Sequence, residues 1–505
     1  MSSVGYEFLC QSLHLSAFGP ERPALVKPVT RVEPTDTFLA IPRHVAPGTD
    51  DPVEHVLFAL KHEGTDLQIL AEALRKIDPA SLLAALRRSP TGTYVRTACY
   101  LWEQFTGDRL SDLPEIAGPT VEVFDAVRYI TGPSRRDARW RVAFNGLGSI
   151  SYCATVQRTT YVQEAIHSDV LGRTKAFIAA LGKGVLDRAL DWAYLHEAED
   201  SFAIERETPS EDKARMFIAI LHQAHDGKAL SEEYLVELQN AVLTNPFDKA
   251  FQYRTEQNWL GGPARGAPGV TYVPPPPEMV SELMNELVSF ANNAPREVDP
   301  IAAASVASFG FVFIHPFLDG NGRLSRFLFH HALCRSGKLD QGLILPVSVA
   351  MKRNEDDYLS VLRRYSKPAR ERWSVRWIDE GEYDMRFNGD PAIYRYWDAT
   401  QCVEFGYRMA EQALEFDLRH ETEFLARYDR VLKAVDDRFD LRGSDLSTLV
   451  VSCLDNEGKV SKRRRNQFAG RVPENVFDYI EEVAHEALLP GTDASPDSAP
   501  HGERD

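Results

Sequence analysis

Apolar residues recur at three- and four-residue spacing over much of this chain, and that period predicts a mainly α protein. From Pro52 to about Phe105, HVLFALKHEG, LQILAEALRKI and ASLLAALRR place apolar side chains at i, i+3, i+4 and i+7. That is the stripe of helices lying on a core. The signal returns from about Thr174 to Ala198 and from Asp212 to Gln223. Beyond it, MVSELMNELVSFANN, PIAAASVASFGFVFI, RLSRFLFHHALCRSG and NEDDYLSVLRRYSK read as successive helices, and Tyr396 to Phe439 as one long helical stretch. Two segments break the pattern. RWRVAFNGLGSISYCATVQRTTYV (139–162) is β-branched and aromatic around Asn145-Gly146, which predicts a hairpin turning there. FQYRTEQNWLGG and GVTYVPPPPE predict a second hairpin, ended by a proline run that cannot extend a ladder. Residues 1 to about 50 are rich in Pro and polar residues and are expected to drape over a neighbouring core. The tail 490–505 has the composition of disorder.

Composition narrows this picture without sharpening it. With 505 residues and 44% hydrophobic side chains the chain is long enough for several globular cores. A net charge of −17 opposes a dominant nucleic-acid or membrane-surface role. No apolar run approaches a membrane span, and the N-terminus is a poor signal peptide, with Glu7 inside its apolar stretch. Six cysteines without metal-like spacing suit reduced, buried thiols, so a cytoplasmic location is expected.

The chemistry concentrates in HPFLDGNGRLSR, residues 315–326. His315 stands where the apolar run PIAAASVASFGFVFI stops, and Pro316 prevents simple continuation. Asp319, Gly320, Asn321 and Gly322 form a turn whose glycines leave backbone N–H groups uncovered ahead of a helix, an arrangement that binds anions. Arg323 and Arg326 lie three apart at that same terminus. Cations there oppose the helix dipole unless a bound anion compensates, and arginine suits bidentate phosphate contacts. Asp319 is a hard oxygen ligand for Mg²⁺ beside such phosphates, and a histidine titrating near neutrality suits proton removal from a hydroxyl. Base, metal ligand, anion hole and phosphate clamp together point to in-line phosphoryl or nucleotidyl transfer without a P-loop.

HPFLDGNGRLSR matches throughout the HPFx[DE]GNGRxxR signature of Fic domains, and the chain resembles that family over roughly residues 190–370. The resemblance implies a helical Fic core with a β-hairpin flap, transferring AMP from ATP to a protein Ser, Thr or Tyr hydroxyl with Mg²⁺ or Mn²⁺. It casts His315 as general base and Asp319 as metal ligand. Gly320, Asn321 and Gly322 then bind the α-phosphate region, Arg323 the β-phosphate and Arg326 the γ-phosphate. Gly322 stands where the phosphate-transferring Doc relatives carry lysine, which favours AMP transfer. Trp259, Leu260 and Gly261 fall in the flap that docks a target strand, although Trp259 suits core packing equally. Tyr358 falls in the region lining the nucleotide pocket, with packing on a helix face the competing reading.

DSFAIERE (200–207) resembles the inhibitory pattern [ST]xxxE[GN], with Ser201 and Glu205 in place and Arg206 where a small residue is usual. By that resemblance Glu205 pairs with Arg326 and denies it to ATP. The same carboxylate gives an alternative, removal of AMP from a modified protein. A different nucleotide donor such as UTP or GTP is another. The resemblance divides the chain into a region of unknown role (1–170), a Fic domain with its inhibitory helix near 196–206 (171–375), a helical, winged-helix-like unit (376–489) and the tail. Expected partners are ATP, a hydroxyl-bearing protein target (the chain itself included) and a second copy in a homodimer. The basic run Lys462–Arg465 invites nucleic acid, against a plain solvated face.

Overall fold

The structure, a computed structural model, describes residues 2–243, 249–340, 342–379 and 382–489. The expected disordered tail 490–505 lies outside these. The chain forms two compact units, Met1–Lys175 with Tyr194–Gln412, and Ala176–Ala193 with Ala413–Asp505.

The first unit opens with helices Pro52–His62, Leu67–Lys76, Pro79–Arg88 and Thr93–Thr106, as the periodicity predicts. Asp51, Asp66 and Asp78 cap the first three by accepting the N–H groups of Val53, Ile69 and Ala80. Residues 1–50 do more than drape. Ala24–Lys27 runs parallel to Leu39–Pro42, and Ser3–Val4 and Glu33–Pro34 complete a four-stranded sheet.

The hairpin expected around Asn145-Gly146 forms elsewhere. Val142–Phe144 pairs with Val121–Glu122 and Arg135–Asp137, whereas Leu147–Gly148 pairs with Cys153–Thr155. Asn145 is buried, and its side chain exchanges two hydrogen bonds with the backbone of Phe124, at 2.9 and 2.8 Å. Its amide therefore joins two strands instead of making a turn. Cys153–Thr155 also pairs in parallel with Tyr396–Asp398, so the long helical stretch begins later than expected, at Thr400.

Helix Pro300–Ile314 is buried at every position and packs against Pro277–Asn293, Asn321–Arg335 and Thr400–Gln412. Such all-round apolarity is what a central helix requires. Asp299 fixes its start by accepting the N–H groups of Ile301 and Ala302. Phe309, Phe311 and Phe313 line it, each fully buried aromatic stabilising the core by about 1.5–3 kcal/mol. This rigid rod carries His315 at its end.

The second hairpin is present but short. Leu260–Gly261 pairs antiparallel with Val270–Tyr272. A further antiparallel ribbon that the helical reading passed over, Trp373–Asp379 with Glu382–Phe387, shares a cluster with the flap residues Trp259, Val270 and Val273.

In the second unit, Arg419–Asp436, Gly443–Leu454, Lys462–Phe468 and Glu474–Leu488 enclose their own core around Val431, Leu449, Phe477 and Ile480. No strand occurs among the described residues of 413–489, and the strands of the expected winged-helix-like range 376–489 all lie before Thr400. The basic run there is partly satisfied from within, since Arg465 pairs with Glu474, Asp478 and Glu481. Among the described residues no helix is long and apolar enough to cross a membrane, and all six cysteines are free.

Candidate active site

His315 terminates the buried helix in the left-handed conformation, φ 53°. Its backbone N–H closes the last turn on Phe311 O at 2.9 Å, and its ring Nδ1 lies 3.2 Å from Val312 O. A carbonyl only accepts, so Nδ1 carries the proton and Nε2 presents a bare lone pair. Burial, the largest influence, pulls the imidazole down to about 4, with the Arg254 guanidinium pushing the same way against the Val312 bond and the Glu205 and Asp319 carboxylates. At neutral pH this is an unprotonated base.

Phe317 and Asn321 lock the turn that follows. Phe317 N donates to Asn321 Oδ1 at 3.0 Å and Asn321 Nδ2 donates to Phe317 O at 2.8 Å. Asn321 is thereby a brace of the loop as well as the first residue of helix Asn321–Arg335. Gly320, at φ 84°, precedes that helix and provides no side-chain cap, so the first N–H groups keep their capacity for an anion.

Both arginines are buried to 1% exposure, yet each ends at the site. Arg326 donates Nε to Ser201 Oγ at 2.6 Å, and Nη2 to Ser201 O at 2.7 Å and Glu205 Oε1 at 2.9 Å. Its Nη1 is buried without a hydrogen-bond partner, a donor left over where a phosphate oxygen would complete the fork. Arg323 donates to Val242 O at 2.9 Å, pairs with Asp319 at 3.1 Å and pairs with Glu207 at 3.1 Å. Sequence reasoning missed Glu207, because ERETPSED looks like an ordinary solvated charge run.

Helix Lys183–Ile204 places these groups by helical spacing. Glu197, Ser201 and Glu205 lie four apart and face His330, Arg326 and Gly322, also four apart, on the antiparallel motif helix. Glu197 Oε1 is 2.6 Å from His330 Nε2 and also accepts Ser348 Oγ, while its Oε2 accepts Ser348 N. A Cβ added to Gly322 would lie 1.8 Å from Glu205 Oε1, so the carboxylate occupies the space above the helix N-terminus. A side chain at this position would displace the Glu205 carboxylate. The helix then ends in a Schellman turn: Glu207 N reaches Phe202 O and Arg206 N reaches Ala203 O. Arg206 takes the left-handed position at φ 61°, where Gly or Asn is usual, and the turn forms regardless. Glu207, the next residue, is thereby delivered to Arg323.

Asp319 is half-buried and accepts Gly320 N at 2.6 Å besides pairing with Arg323. No group of three His, Cys, Asp or Glu side chains suited to a metal occurs among the described residues. A single carboxylate beside two buried arginines is compatible with Mg²⁺ held jointly with a polyphosphate.

Tyr358 is buried between Phe309 and Phe405, with Arg326 close enough to act on its hydroxyl. Trp259 is partly buried and stands edge-on to Tyr383 of the second ribbon at 4.8 Å. Leu260 and Gly261 form the short flap strand.

Residues 229–333 match the family described as Fic/DOC. The chain is 33% identical over 140 residues to the protein adenylyltransferase fic-1 of Caenorhabditis elegans, covering 27% of this chain and 25% of that one. It is 28% identical over 207 residues to the protein adenylyltransferase Fic of Aedes aegypti, covering 35% and 38%. It thus spans between a quarter and two fifths of these curated relatives. A solved structure of Fic-1 (residues 134–508) from C. elegans aligns with 73% of this chain and 92% of its own at 17% identity, with a TM-score of 0.35. The likeness to the Fic/DOC family thus rests on these sequence matches, centred on residues 229–333.

Proposed function

We propose that this chain is a protein adenylyltransferase that moves AMP from ATP to a protein hydroxyl and that holds itself inhibited. The observation that carries the reading is His315. Its Nδ1–H is tied to a backbone carbonyl and its Nε2 is bare, beside two buried arginines whose ends converge at a helix N-terminus. In the transfer the hydroxyl oxygen forms a bond to the α-phosphorus and the bond to the pyrophosphate oxygen breaks. The hydroxyl proton passes to His315 Nε2, and pyrophosphate leaves with the electron pair. The N-terminal N–H groups of helix Asn321–Arg335 hold the oxygens of the transferred phosphate, Arg323 the β-phosphate and Arg326 the γ-phosphate. Asp319 would hold Mg²⁺, which when bound neutralises the charge developing on the leaving phosphates.

Inhibition follows from the same contacts. Glu205 and Glu207 take the positions at Arg326 and Arg323 that polyphosphate requires, so ATP and this strap exclude one another. Free, mostly buried thiols fit a cytoplasmic setting. The test supplies α-labelled and γ-labelled ATP in parallel to the Glu205→Gly chain with Mg²⁺. Label from the α-position alone, lost in Glu205→Gly/His315→Ala, supports AMP transfer. Label from the γ-position refutes it in favour of phosphate transfer.

A further inference from the structure

The last four carbonyls of a helix have no partners within it, and the end of Pro300–Ile314 is buried, so each needs a donor. Phe311 O and Val312 O are met by His315 itself, through its backbone N–H and its Nδ1. Apart from Asn321 Nδ2, which also reaches Phe317 O, the donors to the carbonyls that follow come from one other segment. Tyr272 Oη of the flap donates to Phe313 O at 2.5 Å. Arg254 donates Nη2 to Ile314 O at 3.4 Å and Nε to His315 O at 2.8 Å, and its own backbone N–H to Pro316 O at 2.8 Å. Asn258 Nδ2 donates to Phe317 O at 3.1 Å. Arg254 also reaches back into its own segment, to Pro275 O at 2.7 Å and Glu256 O at 3.1 Å.

Arg254 is 6% exposed and, among the described residues, makes no ion pair within 4 Å, although the Glu278 carboxylate acts on it electrostatically. A buried guanidinium without a counter-ion in contact is costly and must be held by acceptors. Here the guanidinium's acceptors are four main-chain carbonyls, those of Ile314, His315, Pro275 and Glu256, around the end of the buried helix and the base of the flap, and the negative end of a helix dipole lies among them. A lysine's point charge cannot reproduce that planar fork.

We propose that Arg254 is a positioning residue for the base: it holds His315 in its left-handed conformation and ties that conformation to the flap that presents the target hydroxyl. The inference rests on His315 acting as the base. Loosening Arg254 leaves the phosphate-binding arginines in place, since both stand on the motif helix, but lets Nε2 wander from the attacking oxygen. A displacement of the order of 1 Å costs about a hundredfold in rate.

The test uses the full chain with Glu205→Gly, which frees the site, and compares Arg254 with Arg254→Lys and Arg254→Met. Incorporation of labelled AMP into the chain itself is followed against ATP concentration. The maximal rate is expected to fall about 10- to 100-fold in Arg254→Met, with partial rescue in Arg254→Lys, while half-saturating ATP stays within about twofold. Should Arg254→Met fail to fold, Arg254→Lys carries the same comparison. Unchanged maximal rates, or losses confined to ATP saturation, overturn the positioning role while leaving the transferase reading intact. An absence of AMP incorporation in the Glu205→Gly parent overturns the transferase reading itself.

Discussion

Glu207 makes the most discriminating perturbation of the inhibited state, because it doubles a contact that one glutamate alone would provide. The Glu205 and Glu207 side chains keep 36% and 31% of their surface exposed, whereas the arginines they meet are buried to 1%. A hydrogen bond to a charged group contributes about 1.5–3 kcal/mol when buried, and the partial exposure of the carboxylates reduces that to about 1–2 kcal/mol for each arm. Each arm therefore shifts the balance between docked and displaced strap by about 5- to 30-fold. Glu207→Gln keeps the shape of the side chain and removes its charge. It should lower half-saturating ATP and raise AMP incorporation by about that factor. Glu205→Gly should do more, since it also uncovers the helix N-terminus above Gly322. The two residues are separated by Arg206 alone on one strap, so their effects should not add. Titration of initial rate against ATP for both single variants and the double variant measures this. If Glu207→Gln matches the parent chain and the double variant matches Glu205→Gly, the Arg323 arm has no inhibitory role.

Because burial holds His315 unprotonated down to about 4, the rate of the Glu205→Gly chain should be flat from neutrality to about pH 5 and fall as pH approaches 4. A histidine at its ordinary value would instead lose activity below about 6.5, and the pH profile of kcat/KM separates the two. Glu197→Gln weakens the buried contact with His330 and Ser348, with an expected loss of about 3 kcal/mol in a denaturant titration and a higher basal AMP incorporation as the inhibitory helix loosens. Arg206→Gly relieves a left-handed non-glycine residue, which costs about 1 kcal/mol. Tighter docking of the strap should then lower basal activity and raise Tm slightly.

The parts of the site legible in the sequence were those whose chemistry is local. A turn with uncovered N–H groups, two arginines three apart and a histidine after an apolar run all lie within one dozen residues. Ser201 and Glu205 were legible through their resemblance to the inhibitory pattern [ST]xxxE[GN], which lies within one short stretch. Glu207 escaped since its partner is 116 residues away and its position depends on a left-handed Arg206 that spacing does not reveal. Arg254 escaped for a related reason: its acceptors are carbonyls, which every residue has, so no pattern of residue types marks them. The ribbon Trp373–Asp379 with Glu382–Phe387 carried a usable signal in the alternation of EYDMRF, which the neighbouring helical periods masked. Asn145-Gly146 shows the reverse case. A strong turn dipeptide yielded to two buried hydrogen bonds with Phe124, contacts that no window of local sequence contains.

Intact-mass analysis of the Glu205→Gly chain after incubation with Mg²⁺ and ATP tests the central claim most directly. The added mass of AMP is expected, located by fragmentation on a hydroxyl side chain, with no addition in Glu205→Gly/His315→Ala. The mass of a phosphate, or no addition while the protein is folded and binds ATP, would contradict it.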